Sequence, residues 1–284
     1  MGFIKYDIEK YSPKQLVIIP IVVLIISIVL LALNMVSTGM PVTPGIDFSG
    51  GTAVSIDTPD TRDQIQVTFS GYPLTSVSEG VNNGKFLKFS SMDDAQFQSL
   101  TSLISEKYPD AKIDQIGESF GKTLQYQALI ALLFSFIGMA IVIFLAFRTF
   151  VPAGAVVLSA FADMVMTAAA MNVVGIPLSL GTVAALLMLI GYSVDSDILL
   201  TNRVLKRQGK LNEKLTGAFN TGFTMTTTTL AATAAMLIVA CIGNVQILME
   251  ISAVLLIGLV FDIMNTWLTN VGILKWYALK GGAK

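Results

Sequence analysis

Six long apolar runs, each near the roughly 20 residues that a helix needs to cross a bilayer, constrain this chain more than any other feature. They occupy residues 16–35, 128–147, 151–173, 178–200, 221–242 and 247–276. Composition agrees: hydrophobic residues make up 54% of the 284 and charged residues 13%, with a mean hydropathy of +0.72. That balance belongs to an integral membrane protein rather than a soluble domain. The first run is too long for a secretory signal and is followed by no clean small-residue cleavage site, so it reads as an uncleaved anchor.

The charge pattern excludes several function classes. A net charge of -1 offers no basic footprint for nucleic acid. The absence of histidine removes the commonest metal ligand and general base, and nothing else in the chain calls for a metal or cofactor. The lone Cys241 cannot form an intrachain disulfide and reads as a small packing residue.

Lys and Arg of the chain ends and short loops fall on one side of the predicted spans. Lys5, Lys10 and Lys14 precede the first, Arg148 separates the second and third, and Arg203, Lys206, Arg207, Lys210 and Lys214 lie between the fourth and fifth. Lys275, Lys280 and Lys284 close the chain, whereas the loops 172–178 and 243–246 carry no charge. The positive-inside rule therefore predicts a multi-pass protein of the cell membrane with both termini cytoplasmic.

Three regions follow: 1–36 with the first span, an extracytoplasmic domain over 37–126, and 127–284 with spans two to six. The middle region reads as a soluble α+β unit. Alternation predicts strands over 52–56, 64–69, 86–89 and 111–116, and a helix over 92–108. Ser91 is the expected cap of that helix, with Asp94 completing an S-x-x-D box and Phe97, Leu100, Leu103 and Ile104 forming its apolar face. A helix covering one face of a mainly antiparallel sheet is the expected arrangement. The domain opens with PVTPGIDFSGGT, in which Gly50 and Gly51 permit a bulge or a close helix contact. No Lys or Ser/Thr follows them at the spacing of a phosphate-binding loop.

Asp163, Asp195 and Asp262 interrupt apolar spans near mid-depth, and no Lys or Arg lies within the apolar part of any span to neutralise them. Asp163 is about 18 Å of helical rise into its span, and Asp195 about 12 Å from Arg203. A central Asp opposes insertion by about 2.5 to 3.5 kcal/mol, so such acids face a bundle interior and mark ion paths, or pack protonated against a neighbour's hydroxyl. Asp195 shares a face with Met188, Gly191, Tyr192 and Leu199. Asp197 is turned about 200° away with Ile190, Ser193, Val194 and Thr201, which predicts a solvated or locally bonded role for it. Gly191 predicts close approach of a neighbouring helix. Threonines 224 and 226–229, Thr226 and Thr227 among them, either bond back to their own helix or extend a polar seam with the acids.

Three stretches carry a family resemblance: GIDFSGGT from Gly45, FADMVMT around Asp163, and GTVAALLMLIGYSVDSDILLTNRV through the fourth span. In this order, with six spans and one insert between the first two, the chain resembles the SecF branch of the SecD/SecF family, within the resistance-nodulation-division class. The resemblance implies a ferredoxin-like external domain, an accessory role in protein export, and SecD, a SecY-type channel, the unfolded polypeptide in transit and membrane lipid as partners. It marks Gly45, Ile46, Asp47, Phe48, Gly50, Gly51, Gly191 and Tyr192 as family positions. It also implies proton or sodium movement, with Asp163 and Asp195 at acid positions of the family; Asp197 and Asp262 join them as ion-path candidates by their place in the spans. Bacterial members place an Asn at position 195, an Asp at Ser196 and an Arg at Thr221, so these departures suit an archaeal branch. Two other readings fit the acids: an independent ion-coupled small-molecule exporter, and an intramembrane aspartyl protease pairing Asp163 with Asp195. The Pro-Ala-Leu, Tyr-Asp and Gly-x-Gly-Asp signatures of such proteases are absent.

Overall fold

A computed structural model describes residues 10–80 and 83–281; Lys5 and Lys284, counted above among the basic ends, lie outside them. Six helices are long and apolar enough to cross a membrane. The first, α1 (Pro13–Thr38), starts at a Ser12 cap whose hydroxyl accepts from the Gln15 amide while the Gln15 side chain accepts from the Ser12 amide. It stops at Gly39, which adopts φ 80°, the left-handed conformation glycine tolerates best.

A four-residue turn, α2 (Ile46–Ser49), leads into the domain between the first two long helices. There β1 (Gly51–Asp57), α3 (Arg62–Thr68), β2 (Leu74–Glu79), β3 (Gly84–Phe89), α4 (Asp94–Lys107) and β4 (Lys112–Ile116) follow in sequence. All pairings are antiparallel, in the order β2-β3-β1-β4. The βαββαβ sequence and that strand order make the ferredoxin-like fold. Val54 pairs with Leu87 and Ile113 on the covered face, and Ile65, Phe69, Leu87, Phe89, Leu100 and Ile104 fill the core. Each such side chain contributes about 1.5 to 3 kcal/mol when taken from water. The Phe69 and Phe89 rings meet edge to face at 5.5 Å. At the margin, burial and then a 2.6 Å hydrogen bond donated to Asp60 push the Tyr108 phenol above its ordinary pKa.

Two expectations for this domain need correction. Of residues 64–69, expected as a strand, 64–68 belong to α3 and Phe69 caps it, because Thr61 and Gln64 form a reciprocal capping box that fixes a helix start. The sheet takes β2 in its place. Helix α4 is capped by Asp93, whose carboxylate accepts from the Gln96 amide at 2.7 Å, rather than by Ser91.

The remaining long helices are α5 (Glu118–Phe147), α6 (Phe150–Val174), α7 (Leu180–Lys206) and α8 (Leu211–Ile242), then α9 (Gln246–Met264) running through a π-helical turn (Asn265–Asn270) into α10 (Val271–Leu279). Helix α5 starts well before its apolar run. Helices α6 and α7 are the most enclosed, whereas α1, α5 and α8 leave most of their apolar residues outward. The polar side chains of the bundle concentrate where α6, α7 and α9 meet.

Candidate functional site

Asp163 on α6, Asp197 on α7 and Asp262 on α9 all point into the bundle and are at most 1% exposed. Small and hydroxylated neighbours leave space for them: Ser159 and Thr167 on α6, and Ser193 and Ser196 on α7, are buried alongside. The π-helical turn matters most. Widening the helix by one residue per turn brings Asn265, Thr266 and Asn270 together toward α6 and α7, as such turns often do at functional positions.

Each carboxyl is held by named donors. Asp163 accepts from Ser193 Oγ at 2.6 Å and Asn265 Nδ2 at 2.7 Å. Asp197 Oδ1 accepts from Asn270 Nδ2 at 2.7 Å and Thr266 Oγ1 at 2.8 Å, with Ser159 beside it. Asp262 lies 3.1 Å from the same Thr266 oxygen and 3.4 Å from Ser196 Oγ. Thr266 has one hydroxyl proton for two carboxyls. Ser196 also has one, shared between Asp262 and the Ser193 carbonyl at 2.9 Å. The cluster therefore has more acceptors than donors, and a proton on Asp262 would complete the chain from Asp262 to Thr266 to Asp197.

Among the described residues no cation pairs with these acids. The ion pairs among the described residues are Lys85–Glu79, Lys107–Asp60 and Lys122–Glu118, all outside the bundle core. Among those residues no group of three or more His, Cys, Asp or Glu side chains is arranged to hold a metal.

The roles of the two α7 acids reverse expectation. Asp197 is enclosed, with Oδ1 accepting two hydrogen bonds and Oδ2 buried without a partner among the described residues, while Asp195 stands exposed with Ala184, Met188, Gly191 and Tyr192 on the outward face of α7. The physical reason is that α6 and α9 both pack on the Ser193–Asp197 side, which apolar spacing alone does not reveal. A Cβ added at Gly191 would meet nothing within 4 Å among the described residues, so the expected close helix approach is not made there, and Asp163 and Asp195 do not converge on a common site as a protease pair must. The threonines of α8 are satisfied locally: Thr226 donates to the Gly222 carbonyl and Thr227 to that of Phe223, and Thr227 is exposed. Thr221 accepts from Arg203 Nη2 at 2.7 Å.

The GIDFSGG stretch forms a junction between the sheet domain and the bundle. Asp47 Oδ2 accepts from the Leu180 amide at 2.7 Å, the first turn of α7, where a carboxylate complements the helix dipole. Gly45 and Thr43 exchange backbone bonds with Leu178, and Gln125 of α5 donates to the Phe48 carbonyl at 2.7 Å. Gly51, at φ 132°, leaves room for the Phe89 carbonyl, which a Cβ would approach to 2.4 Å. At the far edge, the side chain of Asn244 after α8 lies against Gly80 and Gly84 of the β2–β3 hairpin.

Known proteins resemble this chain in sequence and in fold. A family profile described as "Protein export membrane protein SecD/SecF, C-terminal" matches residues 96–280. A protein-export membrane protein SecF of Methanolacinia petrolearia is 59% identical over 282 residues, covering 99% of this chain and 100% of its own. That of Haloferax volcanii is 42% identical, covering 97% of this chain and 96% of its own. That of Pyrococcus furiosus is 40% identical, covering 97% and 94%. The crystal structure of SecDF, a translocon-associated membrane protein of Thermus thermophilus, has the same fold at a TM-score of 0.73 and 19% identity. It aligns with 94% of this chain, which spans 38% of the solved one.

Proposed function

The chain belongs to the SecD/SecF family of protein-export membrane proteins, and on that premise we propose that its accessory role in export is exerted beside SecD, through ion uptake and release at Asp163, Asp197 and Asp262. The observation that carries this reading is the shortage of donors among three enclosed carboxyls, with Thr266 placed between two of them. When Asp262 holds a proton, it can donate to Thr266, whose own proton then serves Asp197. When Asp262 is charged, it competes for the Thr266 proton and Asp197 keeps only Asn270. Ion exchange at Asp262 thereby changes how α7 is held against the π-helical turn.

The outward face around Asp195 supports SecD as the neighbour. A carboxyl at mid-depth of a spanning helix is costly against lipid and is best met by a donor or cation from another subunit. In this reading the protein spans the cell membrane with both termini in the cytoplasm. Its sheet domain lies outside, where it holds unfolded polypeptide leaving a SecY-type channel. The GIDFSGG junction is the route by which motion of α7 reaches that domain, since Asp47 grips the helix that carries Asp197.

Export of a secreted reporter from cells relying on an Asp163→Asn variant tests the proposal. The expected result is export reduced tenfold or more with normal membrane levels of the protein. Normal export would remove the acid cluster from the mechanism.

A further inference from the structure

The beginnings of α1 and α10 cross at Gly272, where a Cβ would lie 2.5 Å from Val17 Cγ2 and 3.1 Å from the Pro13 carbonyl oxygen. Lys275 ties the crossing by donating to the Tyr11 carbonyl at 2.8 Å. Beside it opens a groove of about 470 Å³ whose walls include Lys14, Val17, Ile18, Ile21, Ile273 and Trp276. Its chemistry is graded along the helix axis. Lys14 stands at the mouth, and Ile21 lies about 10 Å deeper, at 1.5 Å of rise per residue. Lys280 Nζ sits 4.4 Å from the centre of the Trp276 ring at the same mouth, and Lys10, Lys14 and Lys280 are exposed. No acidic residue occurs in 10–38 or 263–281; Asp7 and Glu9, which precede Lys10, lie outside the described residues.

We propose that this groove is a binding site for an anionic membrane lipid, with its phosphate at Lys14 and Lys280 and one chain along Val17, Ile18, Ile21 and Ile273. Three features support that occupant over a protein segment or a free anion. The floor is apolar and faces the bilayer, which a free phosphate cannot use. Among the described residues the mouth is basic, with no acidic side chain on either helix, as in headgroup pockets between spanning helices. Trp276 sits at the transition, where amphipathic rings belong in membranes.

The test uses the intact protein in vesicles containing brominated phosphatidylglycerol or brominated phosphatidylcholine, with tryptophan emission as the readout. The chain has two tryptophans. Trp267 is 3% exposed and serves as an internal reference, whereas Trp276 is 43% exposed at the groove. The expected result is preferential quenching by the anionic lipid, with the preference falling about fivefold for each of Lys14→Gln and Lys280→Gln. Equal quenching by the two lipids, no quenching by either, or a preference unchanged in both variants would each overturn the assignment.

Discussion

Asp195 and Asp197 stand two residues apart on α7 and face opposite environments: Asp197 is enclosed between Thr266 and Asn270, while Asp195 is exposed on the outer face of the helix. Their separation of about 200° gives the helix an inner and an outer side, which the proposed function assigns to ion exchange and to a partner. The division makes the two acids separable by mutation.

Asp195→Leu is expected to leave the isolated protein as stable as the parent, since the outward face loses only a costly carboxyl. Recovery of SecD with the tagged variant should fall severalfold. Unchanged recovery would place the SecD contact elsewhere on the bundle.

The threonines of α8 give the opposite expectation. Thr226→Val and Thr227→Val remove hydroxyls that bond only to carbonyls one turn back, so each variant should export a reporter within about twofold of the parent. A loss comparable to that of Asp163→Asn would put α8 on the ion path.

Gly51→Ala should destabilise the protein by roughly 2 to 4 kcal/mol, because it combines an unfavourable positive φ with a clash against the Phe89 carbonyl. Gly71→Ala, where an added Cβ meets nothing within 4 Å, should stay within about 0.5 kcal/mol. Thermal unfolding of the two variants in detergent makes the comparison, and equal midpoints would contradict the close-approach role of Gly51.

Much of this architecture was legible from residue order. Six apolar runs predict the six long helices, and the alternation through Val54 and Ile56 predicts β1. Errors arose where a polar side chain decided the structure. Thr61 and Gln64 convert an alternating stretch into α3, and the modest alternation of Leu74, Ser76 and Ser78 conceals β2. In the bundle, the acids were visible but their partners were not. Asn265, Thr266, Thr269 and Asn270 form polar pairs one turn apart after Asp262, a signal available in the sequence, but their convergence requires the π-helical turn. The inward direction of Asp197 depends on which side of α7 receives α6 and α9, a tertiary fact without a local signature.

The sheet domain carries its own pH dependence. Tyr108 has a raised pKa through burial and its hydrogen bond to Asp60. The stabilisation is full below about pH 10, where the unfolded phenol begins to ionise, and is lost as pH rises from there through the folded-state value. Tyr108→Phe should lower stability by about 1 kcal/mol at neutral pH and flatten the decline above pH 10. A variant retaining the parent's alkaline profile would show that Tyr108 is not its source.

Ion exchange between the enclosed acids and the surroundings is open to direct test. Its most direct measurement is ion entry into vesicles holding the purified protein with SecD, followed by trapped proton- and sodium-sensitive dyes under an imposed gradient, for the parent and for Asp197→Asn. The account predicts gradient-driven entry of one of the two ions in the parent and its loss in the variant, with the complex intact. Equal entry in both, or none in the parent, would contradict it.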